Sequence, residues 1–335
     1  MEILIFCFSH ILITPVSPIH TFIQSRLPDS MVCDTVPSQA PESNLYILDT
    51  LFYEQKLLAL VQNEPSDKWP VRTVHPLAGA LLPFKRIVAY YGNFYSPAMG
   101  VLGEPPADKM LKRLEGEVRK WQQADTSTPV QPALQYIAVT AQRNEGIDGK
   151  YRLRMPFNQI DKTLDLAKKI NAIVFLEIQV GHSTVQQEIP RLEKYLRLPT
   201  VHLGIDPEYS MKSGAVPCSE IGSFDAADIN FASEYLAKIV RQYHLPPKIL
   251  VVHRFTRAMV TNYANILTRA EVEIVINMDG FGFPTRKIDS YNAWVADQPV
   301  QFTGFKLFYK KDTQGLMQPE DVLKLYPRPI YIQYQ

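Results

Sequence analysis

The chain is poor in the features that mark specialised classes of protein. It has 3 cysteines in 335 residues, Cys7, Cys33 and Cys218, too few and too widely spaced for a disulfide scaffold or a cysteine-ligated zinc. It has almost no excess charge: 35 Lys and Arg stand against 34 Asp and Glu, so nothing is available to displace counterions from nucleic acid. No apolar run approaches the ~20 residues that span a bilayer as a helix. Neither G-x-G-x-x-G nor a P-loop occurs, and the turn after the first strand candidate reads Tyr91-Gly92-Asn93-Phe94. Aromatics are plentiful, 17 Tyr and 16 Phe, in a chain long enough for one large domain or two ordinary ones.

Residues 3–14, ILIFCFSHILIT, form a short apolar run, and Pro, Ser and Thr crowd the stretch up to Pro41. That run has the length of an export signal's apolar segment, with a tether behind it. Residues 1–40 are therefore expected to be a signal-like or disordered leader, and the protein to be exported or associated with the cell envelope. Glu2 precedes the run and no Lys or Arg does, so the competing expectation takes Met31 as the true start of a cytoplasmic protein. Residues 41–82 form the next unit. Apolar groups at 45, 48, 52, 57, 58, 60 and 61 predict one amphipathic helix over 45–62, and Pro65, Pro70, Pro76 and Pro83 break the linker behind it.

From residue 83 to 335 the chain alternates β-branched and aromatic runs with helical stretches. Strands are predicted at 86–91, 133–140, 172–179, 200–206, 248–255, 272–279, 301–309 and 329–334. Helices are predicted between them at 106–124, 159–170, 184–196, 225–243, 257–267, 290–296 and 319–325, with Ser223 as N-cap of the fourth and Asp225 and Asp228 in its first turn. Strand–helix alternation implies a parallel sheet, and eight strands over about 250 residues imply one α/β (β/α)8 barrel of the TIM type. The chain stops on the eighth strand without an eighth helix, and the helix at 45–62 is expected to fill that gap or to cap the barrel floor.

In such barrels chemistry lies at the carboxyl ends of the strands, and alternate residues point inward. Parity assigns inward positions to Tyr136, Ala138 and Thr140; to Phe175, Glu177 and Gln179; to Gly204, Asp206 and Glu208; to Val251 and His253; to Val275, Asn277 and Asp279; to Gly304 and Lys306; and to Tyr331 and Gln333. Polar groups thus collect on one face near one end of seven consecutive strands. The plain alternative is a ring of charges that merely satisfy one another. Because burying ionisable groups is costly unless they are paired or functional, the concordance argues for a pocket.

Within that set, Gly204-Ile205-Asp206-Pro207-Glu208-Tyr209 places two carboxylates at i and i+2 on one side of a strand. Their repulsion raises one pKa and keeps that carboxyl protonated near neutrality, which suits the acid that glycoside hydrolysis needs. The segment resembles the Asp-x-Glu-Tyr that ends strand four of chitinase-like glycoside hydrolases. That resemblance implies Glu208 as general acid/base and Asp206 as the partner that orients the substrate's own acetamido group. Asn277-Met278-Asp279 is loosely similar to the polar strand-six end of the same enzymes, which adds Asp279. Two departures stand out: residues 199–205, PTVHLGI, carry no Asp, and Tyr331 and Tyr334 stand where those enzymes place a strand-eight Trp. A wider resemblance, through MGVLGE (99–104), IGSFDAADIN (221–230), LVVHRF (250–255), INMDGFG (276–282), GFKLFY (304–309) and PIYIQYQ (329–335), is to an uncharacterised bacterial family described as lipoprotein or exported barrel proteins. It implies the barrel and export, and no activity.

Ligand contacts are expected from Tyr90, Thr140, Glu177, Gln179, Tyr209, His253, Arg254, Asn277, Lys306 and Gln333, with strand-end rings such as Tyr91, Phe281, Phe283 and Phe308 suited to a sugar's C–H face. The expected partner is a small molecule or oligosaccharide. Glu177, Asp206, Glu208, His253 and Asp279 also have the donor types of a metal-dependent hydrolase or lyase, but no tight ligand motif accompanies them, so neither metal nor cofactor is assigned. Lys306 reads as counter-ion to the carboxylates rather than as a Schiff-base lysine, and His202 as a deep core residue. The competing function is a catalytically silent barrel that binds a saccharide or a cell-envelope partner through the same mouth.

Overall fold

The computed structural model describes residues 47–335; the expected leader at 1–40 lies outside the described residues. Eight parallel strands close into a barrel: β1 (Arg86–Gly92), β2 (Val130–Ala141), β3 (Ile173–Ile178), β4 (Val201–Ile205), β5 (Lys248–Arg254), β6 (Val272–Met278), β7 (Phe302–Leu307) and β8 (Tyr331–Tyr334). Each pairs with its successor, and β8 pairs with β1 through Ile87–Tyr331 to Tyr90–Tyr334, which closes the ring. The expected TIM-type barrel is the observed fold.

The core has two layers. Outward residues such as Leu134, Leu176, Leu203, Val252, Ile276, Phe305 and Ile332 pack under the helices. Inward residues Ile87, Ala133, Phe175, Ile249, Val275, Phe302 and Tyr331 fill the barrel's lower half. Helix α1 (Thr50–Leu60), capped by Asp49, joins that inner layer through Tyr53 and Leu57 and so closes the floor. The Arg328 amide donates to the Leu60 carbonyl at 2.8 Å, tying the helix to the entrance of β8. The helix is not one-sided as expected: Leu51 is 77% and Phe52 45% exposed.

Outside the barrel lie α2 (Ala107–Ala124), α3 (Phe157–Lys168), α4 (Val185–Glu188), α5 (Glu193–Leu196), α6 (Ala226–Tyr243), α7 (Pro284–Tyr291) and α8 (Pro319–Val322). Three expectations about helices need correction. The single helix expected at 184–196 is broken into α4, a 3₁₀ turn at Ile189–Leu192 and α5, because Pro190 brings no N–H to the ladder. No α-helix forms over 257–267, only a 3₁₀ turn at Tyr263–Asn265. There Val260–Thr261 pairs with Phe224–Asp225, Asn262 adopts φ 54°, and Asn230 of α6 bonds the Asn265 carbonyl and the Leu267 amide, so side chains supply the bonds a helix would have made. The N-cap of α6 is Asp225, not Ser223: its Oδ1 accepts from the Ala227 amide at 3.0 Å, and Asp228 accepts from the Asp225 amide at 2.9 Å. Cys218, between β4 and α6, is disulfide-bonded. No helix among the described residues is long and apolar enough to cross a membrane.

Candidate active site

The upper half of the barrel is polar. At its centre His253 of β5 lies between two carboxylates, with Nε2 3.4 Å from Glu177 Oε2 and Nδ1 3.0 Å from Asp279 Oδ2. Lys306 of β7 pairs with the other oxygen of Asp279 at 2.8 Å. Gln135 of β2 donates to Glu177 and accepts from the Tyr331 hydroxyl, to which Gln333 donates at 3.0 Å. Gly204 makes this possible, because a Cβ there would overlap Glu177 Oε2 and Gln135 Nε2. Glu177, His253, Asp279 and Lys306 thus alternate in sign along one chain, and the ring of mutually satisfied charges expected as the plain alternative is real for these four.

Asp206 and Glu208 stand apart from that chain. Asp206 is buried at the end of β4, and its Oδ1 accepts the Glu208 amide at 3.0 Å, which turns the backbone into a short 3₁₀ turn over Pro207–Tyr209. Glu208 is half-buried, and its carboxyl makes no hydrogen bond or ion pair among the described residues. The electrostatics follow from this division. Burial pushes the Glu208 carboxyl well above its usual range, and Asp206 and Asp279 push the same way against Lys306 and Lys311. Burial also raises Asp206 to about 7, with His253 partly offsetting the push from Asp279 and Glu177. His253 moves up to about 10, since Glu177 and Asp279 outweigh the cost of burying its cation. Asp279 falls to about 2, because Lys306 and His253 outweigh burial. Glu208 is therefore biased towards its protonated form while Asp279 is held ionised, the separation that acid catalysis exploits.

The structure brings Asp206, Glu208, Asp279, Glu177, His253, Asn277, Lys306 and Gln333 to this mouth. Gln179 lies beside them, donating to the Tyr91 hydroxyl at 3.1 Å. Tyr209 is half-buried, its phenol pushed well above the usual range by burial and by the neighbouring Glu208 and Asp206. Two expected contacts fall elsewhere. Tyr90 faces outward, its hydroxyl 2.9 Å from that of Tyr309 and its ring against Tyr334, so Tyr91 is the residue of β1 that enters the site. Arg254 also points out, its guanidinium bound to the Thr256, Arg257 and Val260 carbonyls and to Gln298, where it organises a loop.

On β2 the inward parity is the opposite of the one expected from spacing. Gln135, opposite inward Phe175, points in, whereas Tyr136 and Ala138 pack under the helices. A bulge between Ile137 and Val139 then shifts the register and leaves Thr140 buried with its hydroxyl unpartnered. Spacing along the chain does not single out Gln135; its pairing with Phe175 of β3 does. His202 is deep in the barrel, its Nδ1 accepting the Ile249 amide at 3.0 Å. Glu177 Oε1, Asn277 Oδ1 and Gln333 Oε1 are buried without a hydrogen-bond partner, a concentration of unmet polar atoms that marks a site rather than a packed core. Among the described residues, no group of three or more His, Cys, Asp or Glu is arranged to hold a metal ion.

No protein-family model matches the chain, and no curated protein is significantly similar to it.

Proposed function

We propose that this barrel acts on a saccharide as a glycoside-hydrolase-like enzyme, with Glu208 as general acid/base and Asp206 as its orienting partner. The observation that carries the reading is the setting of Glu208: half-open at the mouth, without a hydrogen bond or ion pair for its carboxyl among the described residues, and pushed towards its protonated form by burial and by Asp206. A carboxyl so placed donates its proton to the glycosidic oxygen as the C–O bond breaks, and positive charge then develops at the sugar carbon. Asp206, fixed by the Glu208 amide, faces the same space and orients the group that meets that charge. Water completes hydrolysis by returning a proton to Glu208. Asp279, kept ionised by Lys306 and His253, adds a fixed negative charge beside the developing cation.

Replacing Glu208 by Gln tests this directly. The variant should lose roughly 10²–10⁴-fold in kcat on whichever glycan the wild type cleaves, yet bind it as tightly. Equal turnover by both proteins sinks the mechanism. A second reading, a silent barrel that binds a saccharide or envelope partner, draws on the self-compensated Glu177–His253–Asp279–Lys306 chain; it requires that the wild type binds without cleaving. We also place the protein in the cell envelope, on the apolar run at 3–14 and the resemblance to exported barrel proteins. Mass analysis of the mature N-terminus decides between that and a start at Met31.

A further inference from the structure

A second cavity lies outside the barrel, away from the mouth. The short strand Arg152–Arg154 runs antiparallel to the end of β2 and leads into α3. Between that segment and the 3₁₀ turn at Ile189–Leu192 is a space of about 290 Å³, walled by Ala138, Val139, Met155 and Leu192, with Phe157 at its edge. The four wall residues are buried and apolar. Protein interiors leave few voids larger than a water molecule, whereas this one has room for about ten. That is close to the lower size of natural small-molecule pockets.

The charges round this space do not cancel. Glu188 is the carboxylate in its lining, and both of its oxygens are taken. Its Oε2 accepts Arg154 Nε at 2.7 Å; its Oε1 accepts Arg152 Nε and Arg154 Nη2, each at 3.0 Å, and the Ser183 hydroxyl at 2.5 Å. Burial pushes the Glu188 carboxyl up, but these donors outweigh it and hold it ionised. Arg152 also pairs with Asp148 at 2.7 Å, so two guanidinium groups meet two carboxylates. Arg191, which lines the cavity from the turn, is exposed and makes no hydrogen bond or ion pair among the described residues. Lys194 adds positive charge at the rim, its Nζ 4.1 Å from the Phe157 centroid. One face of that ring is thereby taken, and apolar contact falls to Met155, Leu192 and β2.

We propose that this cavity binds a small apolar carboxylate, its hydrocarbon part against Met155 and Leu192 and its charge on Arg191, with the remaining Nη1 of Arg154 as second donor. An apolar wall beside an uncompensated guanidinium suits a ligand with one apolar end and one anionic end, since a charge-assisted bond to a planar fork is strong and directional. A neutral ligand would leave Arg191 unused, and a bare anion would leave the walls wet. Ala138 faces away from the barrel interior, so this site is separate from Glu208 and does not rest on the saccharide reading.

The test is calorimetric titration of the full chain with phenylacetate and octanoate, each of about ten non-hydrogen atoms. Both should bind at one site with a dissociation constant on the order of 0.1–1 mM, as ligands of that size allow. Phenylethanol, which lacks the charge, and acetate, which lacks the apolar body, should each bind at least about tenfold more weakly. Arg191→Glu should weaken phenylacetate at least about tenfold and Arg191→Lys by less, with an unchanged urea midpoint because the side chain is exposed. Glu208→Gln should bind as wild type does. Failure of both carboxylates to bind, equal binding of phenylethanol, or wild-type affinity in Arg191→Glu each overturns the proposal. Loss of binding in Glu208→Gln places the ligand in the barrel mouth and overturns it too.

Discussion

Asp206 and Glu208 differ in fate because one is enclosed and the other is half-open, although they sit two residues apart. The reaction needs Glu208 protonated and Asp206 ionised. Asp206 is raised to about 7, so the rate should rise with pH through about 7 and decline on the alkaline side as Glu208 loses its proton. The two apparent values belong to the pair. Asp206→Asn should remove the acid limb and lower kcat/KM by roughly 10²-fold; an unchanged profile of kcat/KM against pH would show that Asp206 plays no part. At this scale the sequence was informative wherever a polar residue interrupts an apolar strand, as at Glu177, His253 and Lys306. It misled at Tyr90 and Arg254, where a polar atom belongs to a residue that packs outward and finds its partners there.

Among the elements, α1 matters most for its size. It places Tyr53, 1% exposed, and Leu57 against the lower barrel layer, where an open floor would leave Ile87, Phe175 and Val275 facing water. Tyr53→Ala should cost about 3–5 kcal/mol, read as a lower urea midpoint with little change in slope. A cost below about 1 kcal/mol would mean that the helix rests on the floor without sealing it. Helix boundaries were legible where apolar periodicity and end signals agree, as in α2 and α6. They failed at 257–267, because the deciding groups, Asp225 and Asn230, come from a distant part of the chain.

Across the whole molecule, stability should depend on pH through groups buried in the barrel. Glu273, beneath the site, accepts the Leu81 and Leu82 amides but pairs with no cation among the described residues, and burial raises it to about 8. A carboxyl raised in the fold stabilises fully below its unfolded value of about 4.3, and that contribution is lost as pH rises through about 8. Asp206 acts in the same direction up to about 7, and His253, raised to about 10, loses its contribution between its unfolded value and that pH. Asp279, lowered to about 2, contributes above its unfolded value and loses that contribution only as pH falls toward 2. The urea midpoint should therefore peak near pH 4–5 and decline toward pH 9, by up to about 1.4 kcal/mol per pH unit for each titrating group. Glu273→Gln should flatten the decline between pH 5 and 8, at some cost from one lost acceptor. A midpoint that rises from pH 5 to 8 would contradict the assignment.

The amino-acid sequence by itself determined the barrel, because strand–helix alternation and length are local and additive properties that any closed eight-fold arrangement preserves. It also determined that polar groups gather at the strand ends, since period two follows from the pleat. Only the tertiary structure decided which charges cancel. His253 neutralises Glu177 and Asp279 because β3, β5 and the end of β6 converge across the barrel, and Asp206 and Glu208 are left without an ion-pair partner among the described residues for the same reason. Parity on β2 was likewise decided by its register against β3 and by a bulge, neither of which local spacing encodes.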